Sequence, residues 1–180
     1  MTEYQIDTAR MSEYAGILRA GDQVRLSGVV YTARDAAHKK LLELLARGEP
    51  LPFPLTGACI YYAGPTPARD GMPIGSCGPT TSSRMDVMCL PLLRNGLVCM
   101  IGKGGRSEEV AQVMRETGSV YLAATGGCGA LIASRVKSCE VIAFPELGCE
   151  SIKRLVVEDF PAVVAMDSVG GSLYGAGACA

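Results

Sequence analysis

Three stretches of this chain carry side chains suited to gripping a small anion. Residues 32–47 read TARDAAHKKLLELLAR. On a helical wheel Arg34 and His38, the one histidine in the chain, share a face with Leu41 and Leu45, while Lys39, Lys40, Glu43 and Arg47 lie opposite. A cation and an imidazole thus prolong a stripe that should be buried, which is costly unless something pairs with them. Asp35 or a core carbonyl could satisfy both, or they could face a ligand. The second stretch, GSCGPTTSSRMD (75–86), sets a Gly/Pro turn before a helix, with Thr80, Thr81, Ser82 and Ser83 as candidate caps. Free backbone N–H groups at such a start suit an anion, and Arg84 one turn in is either a bidentate carboxylate clamp or an ordinary surface arginine. In the third, IGKGGRS (101–107), glycines flank Lys103 and would let the backbone approach a ligand closely, although a plain turn lysine reads equally well. Its spacing is not that of the G-x-x-x-x-G-K-[ST] phosphate loop, and ATGGCGAL (124–131) lacks the dinucleotide fingerprint. Two arginines, a lysine, an imidazole and a row of hydroxyls suit a small dicarboxylate. They form no nucleophile–base set.

Composition narrows the class. The chain has 180 residues, 48% of them hydrophobic and 19% charged, which is enough for one domain with a real core. A formal charge of −1 argues against a nucleic-acid surface, so anion recognition must come from a few placed cations. The opening residues lack the apolar core of a signal peptide, and no apolar stretch reaches a membrane span of about 18 residues. Cys59, Cys77, Cys89, Cys99, Cys128, Cys139, Cys149 and Cys179 form no C-x-x-C, and most sit in apolar contexts such as VMCLPLL. Buried reduced thiols in a reducing compartment are expected, rather than a zinc or ferredoxin-type site or a self-contained redox protein.

The elements that must hold these groups follow from periodicity. Strands are predicted at 23–31, 58–62, 97–101, 120–124, 140–144 and 162–166. Helices are predicted at 33–47, from the end of a Gly/Pro-rich loop (63–79) to about residue 94, and at 108–116, 128–136 and 150–155. Thr32 with Asp35 three residues on resembles a capping box. Alternation from 97 to 166 predicts an α/β layer of parallel strands.

SGVVYTARDAAHKKLLELLARGEPLP, IYYAGP, GSCGPTTSSRMD, IGKGG, ATGGCGAL and LVVEDFPAVVAMDSVGGSL together resemble the C-terminal region of class I fumarases, in the same order. Over residues 22–174 the chain is equally similar to the β subunit of two-subunit fumarases and L-tartrate dehydratases. The resemblance implies an α/β fold, a swivelling β/β/α domain with a mixed sheet and a parallel α/β layer. That domain would span 22–180, after an N-terminal arm at 1–21. It further implies a hydro-lyase that reversibly hydrates or dehydrates a C4 dicarboxylate, fumarate to malate or tartrate to oxaloacetate. The cofactor it implies is a [4Fe–4S] cluster held by three cysteines of a partner α subunit, with no metal ligand on this chain. Activity would then require that partner, in the cytoplasm and as an α2β2 assembly.

By matched motif positions, Arg34, Arg84 and Lys103 are expected to bind carboxylates. Thr80 would contact substrate and supply the proton-abstracting hydroxyl. Asp35 and His38 complete the catalytic set by orienting the arginine or tuning protonation. Threonine is a poor base unless nearby cations stabilise its alkoxide or a neighbour takes the proton. Cys77 and Cys149 stand where these motifs favour small or apolar residues, and Cys77 either faces the cleft or is a packed thiol. The alternative reading is a stand-alone dicarboxylate-binding or regulatory domain. The same cations would hold either substrate, so discrimination falls to groups near C2 and C3.

Overall fold

Alternation in three short strands divides the interior into two layers. The computed structural model describes residues 2–125 and 127–175. In β3 (Cys59–Tyr61), β4 (Cys99–Gly102) and β5 (Val120–Ala123), Cys59, Tyr61, Cys99, Ile101, Val120 and Leu122 join one core cluster. Their neighbours Ile60, Met100 and Tyr121 join a second, with residues from the helices. Side chains on successive positions of a strand point to opposite faces, so each strand serves both layers. The helices are α1 (Met11–Ala15), α2 (Asp35–Arg47), α3 (Asp86–Arg94), α4 (Glu108–Thr117) and α5 (Gly129–Ser134). Of these, α2, α3 and α4 cover the second cluster through Leu41, Leu92, Val113 and their neighbours. Among the described residues no helix is long and apolar enough to cross a membrane.

The remaining strands are β1 (Glu3–Asp7), β2 (Gln23–Thr32), β6 (Val136–Ala143) and β7 (Ile152–Met166). The seven-stranded sheet runs β1-β2-β3-β4-β5-β7-β6. β2 to β5 pair in parallel, whereas β7 is antiparallel to β5, β6 and β2. The β7–β2 ladder closes β2, β3, β4, β5 and β7 into a ring. The mixed α/β fold is thus as expected, but two local expectations are corrected. No helix occupies 150–155: a 3₁₀ turn (Pro145–Glu150) leads straight into β7, whose Ile152, Leu155 and Val157 are buried. The parallel run stops at β5. β7 stays one strand through Glu158 and Asp159 because a bulge against Gly28 takes up the extra residue, with Asp159 at φ 52° and its N–H donated to Ser27 Oγ.

The N-terminal residues expected as an arm supply β1, paired with β2, and bury Ile6, Met11, Ala15 and Leu18 in the first cluster. At about 1.5–3 kcal/mol for each large apolar side chain, that segment contributes several kcal/mol to the fold. Cys59, Cys77, Cys89 and Cys99 are buried free thiols, Cys128 and Cys139 are half-buried and Cys149 is exposed. Cys179 lies outside the described residues.

Candidate active site

Most of the residues singled out in the sequence meet at one end of the parallel strands. Arg34 is the N-cap of α2 in an extended conformation, and its own side chain makes no capping bond. The Thr32–Asp35 capping box does not form. Thr32 Oγ1 instead accepts the Lys153 N–H at 3.0 Å, and the free N–H of Ala36 is capped by Glu150 Oε2 at 2.9 Å. Asp35, released from capping, reaches across to a residue 49 positions away. Arg84 Nε donates to Asp35 Oδ1 at 2.9 Å and Arg84 Nη2 to Oδ2 at 2.7 Å, a bidentate pair. Arg84 Nη1 lies 3.5 Å from Thr80 Oγ1. Arg34 Nη2 sits 3.8 Å from Asp35 Oδ2 and 3.7 Å from Glu150 Oε1, and its buried Nε has no partner. Asp35 therefore orients Arg84 more tightly than it orients Arg34.

The turn carrying Thr80 is fixed by the backbone. Thr80 N–H donates to the Tyr62 carbonyl at 2.7 Å, and Ser82 N–H to the Lys103 carbonyl at 2.9 Å. Neither of these two groups is left for an anion, and residues 82–85 form a 3₁₀ turn before α3. Ser82 is fully buried and accepts the Lys103 N–H at 3.0 Å, which ties the Lys103 loop to the Thr80 turn. Gly102 is required here, because a Cβ would overlap Ser82 Oγ. The Tyr121 hydroxyl lies 2.9 Å from Ser82 Oγ and donates to the Gly104 carbonyl at 2.8 Å. ATGGCGAL serves as a support: the Cys77 N–H donates to the Gly129 carbonyl at 3.0 Å, and Gly78 packs on Gly129.

Beneath this surface lies a second guanidinium–carboxylate pair. Arg106 Nε donates to Asp86 Oδ1 at 2.6 Å, and Asp86 Oδ2 accepts the Ser107 N–H at 2.7 Å. The Arg106 guanidinium is sandwiched between the Tyr62 and Tyr121 rings, 5.3 and 5.1 Å from their centroids. His38 is also below the surface. Its Nδ1 donates to the Arg34 carbonyl at 3.0 Å, its ring meets Tyr62 edge-on, and its Nε2 has no partner. Burial pushes its pKa down to about 4, so it is neutral at pH 7.

Cys77 is a packed thiol away from the cleft, and burial pushes it up to about 12. Arg106, Asp86 and Glu150 were not singled out from sequence. The first two lie in quoted motifs, but Glu150 has no local signal, since its partners are more than a hundred residues away. Among the described residues no group of His, Cys, Asp or Glu could hold a metal ion. The side chains present do not fit an iron–sulfur cluster, and no step is assigned to one on this chain.

The family model described as Fumarase C-terminus matches residues 2–177. A Methanocaldococcus jannaschii protein provisionally named L(+)-tartrate dehydratase subunit beta is 44% identical over 163 residues, which is 87% of this chain and 84% of that protein. Fumarate hydratase 2 of Leishmania major is 40% identical over 86% of this chain but only 28% of its own length. The anaerobic class I fumarate hydratase of Escherichia coli is 39% identical over 92% of this chain and 30% of its own length. The chain thus spans less than a third of these two fumarate hydratases. With nearly every residue matched by the family model, and a relative of its own size at this identity, the chain belongs to the fumarase C-terminus family.

Proposed function

We propose that this chain is the β subunit of a [4Fe–4S]-dependent hydro-lyase acting on a C4 dicarboxylate, fumarate/malate or tartrate/oxaloacetate. The observation that carries the reading is the convergence of Arg34, Arg84 and Thr80 around Asp35, with Lys103 tied to the same turn. Three cations against two nearby carboxylates, Asp35 and Glu150, leave the patch net positive, as a doubly charged anion requires. In this proposal Arg34 and Lys103 hold the substrate carboxylates with donors the protein leaves open. Arg84 contributes Nη1, because Asp35 occupies its other edge. Thr80 Oγ1 acts as the alkoxide, which Arg84 Nη1 beside it stabilises. It takes the proton from the substrate carbon and becomes a neutral hydroxyl, while the negative charge passes to the substrate and is held by the carboxylate-binding cations. His38, buried and neutral, fixes the Arg34 carbonyl rather than touching substrate.

The cluster, with its Lewis-acid role toward the substrate hydroxyl, belongs in this proposal to a partner α subunit, in a cytoplasmic α2β2 assembly. The names and sizes of the relatives support the division: one is called a subunit beta, and the two fumarate hydratases are more than three times as long as the matched region. The test is to combine the chain with a longer, cluster-bearing partner and assay fumarate and tartrate. Turnover only by the pair, lost in Thr80→Ala and Arg84→Ala, is expected. Full turnover by this chain alone would overturn the proposal. Tight dicarboxylate binding with no activity in any pair would favour a stand-alone binding domain.

A further inference from the structure

We infer that Glu150 is a positioning residue for Arg34, acting across the fold from the turn before β7; the inference rests on the dicarboxylate reading of the site. Arg34 occupies the N-cap of α2 but cannot cap it, since a guanidinium has no acceptor. Glu150 does that work from a distant part of the chain. Its Oε2 accepts the Ala36 N–H at 2.9 Å, while its Oε1 faces Arg34 Nη2 at 3.7 Å. One carboxylate thus fixes both the backbone from which Arg34 departs and the side on which its guanidinium lies. Gly64 adds a steric limit, because a Cβ there would come within 2.9 Å of Arg34 Nη1 and 3.1 Å of its Cδ. Electrostatic and steric restraint without short hydrogen bonds leaves the Arg34 donors available to a carboxylate. Arg84 is held in the contrary way, by bonds that consume its donors.

The turn presenting Glu150 is itself braced. Lys153, only 9% exposed, has no carboxylate partner among the described residues. Its Nζ donates instead to Ser151 Oγ at 2.7 Å and to the Gly148 and Cys149 carbonyls at 3.1 and 3.3 Å. Ser151 Oγ returns a bond to the Gly148 carbonyl at 2.8 Å, and Gly148 adopts φ 59°. A buried ammonium satisfied by these acceptors holds the backbone on either side of Glu150. A carboxylate beside an anion site should weaken anion binding by repulsion. Its presence is accounted for if the order it gives Arg34 outweighs that repulsion.

Repulsion and positioning predict opposite signs, which makes the test decisive. Glu150→Gln retains an oxygen for the Ala36 N–H and removes the charge facing Arg34. The full-length chain would be titrated with succinate by calorimetry, and the Arg34 Nε–H resonance, assigned through Arg34→Ala, followed by NMR. Positioning predicts an unchanged Tm, an Arg34 resonance averaged toward that of exposed Arg47, and succinate affinity weakened about tenfold. In the assembled enzyme KM should rise more than kcat falls. Tighter succinate binding, or an unchanged Arg34 resonance, would overturn the inference. If Glu150→Gln does not fold, Glu150→Asp, too short to keep both contacts, is judged by the same resonance. If the wild-type chain and its assembly bind no dicarboxylate, the dicarboxylate reading fails, while the Arg34 resonance still decides whether Glu150 orders Arg34.

Discussion

Two guanidinium–carboxylate pairs lie at the same end of this fold, and they differ in almost everything but chemistry. The Arg106–Asp86 pair is sealed: the Arg106 side chain is 0% exposed, two tyrosine rings cover its faces, and further nitrogens reach Met100 and Cys89 sulfurs at 3.3 and 3.1 Å. The Arg84–Asp35 pair is open, with the Arg84 side chain 49% exposed and one nitrogen turned toward Thr80. Burial decides what an ion pair is for. In the interior its value lies in never being broken, because either partner alone would be an uncompensated charge. At the surface it adds about 0–1 kcal/mol to stability, so its use is to aim a cation.

The sharpest way to break the comparison is Arg106→Ala. It strands Asp86 in the interior and should cost about 3–5 kcal/mol of stability, read as a lowered urea midpoint. Adding Asp86→Leu should recover part of that loss. Arg84→Ala should do the reverse. Activity of the assembled enzyme should fall on the order of 10²–10³-fold while stability changes by less than about 1 kcal/mol. His38 feels both pairs: burial lowers its pKa first of all and Arg106 adds to that, while the bond to the Arg34 carbonyl and the Asp35 charge oppose it. A folded pKa near 4 against the usual 6.5 means the unfolded chain takes up the proton first as pH falls. Stability should therefore be complete above pH 6.5 and decline between 6.5 and 4, by about 3 kcal/mol in all. His38→Gln should flatten that part of the profile. The smallest effect is expected from Asp35→Asn, under about 1 kcal/mol in Tm-derived stability, with a raised KM as Arg84 loses its aim. Added salt should weaken the Arg84–Asp35 contact and leave Arg106–Asp86 intact.

The difference between the pairs also marks what could be read from sequence. The short strands β3, β4 and β5 and the helices α2 and α4 were legible, because each carries its own periodicity. α4 has Ser107 accepting the Val110 N–H and Gly118 at φ 70°, local signals that need no tertiary context. Of β7 only the end, 162–166, was legible. The stretch before it was read in part as a helix, because Glu158, Asp159 and Pro161 interrupt the strand pattern until a bulge and an antiparallel partner accommodate them. Arg34, Asp35, Thr80 and Arg84 were named as candidates and do come together, but which arginine Asp35 serves depended on the crossing of α2 with the 82–85 turn. His38 was placed in the buried stripe, and its depth was set by Tyr62, a residue with no sequence signal linking it to the helix. The roles of Glu150 and Arg106 are purely tertiary.

Closure of the ring by β7 has a consequence for how the chain is made. β2 and β7 pair over most of their length, yet Gln23 meets Val163, 140 positions further along the chain. On the ribosome, β2 must wait with one edge unpaired until residue 166 has emerged. Contacts of such sequence separation form late and slowly, and an open edge in the interval invites association with other chains. Truncations before residue 152 should thus yield aggregates rather than a smaller domain. Cellular yield of this protein should depend on chaperones that shield nascent strands more than on the stability of the finished ring.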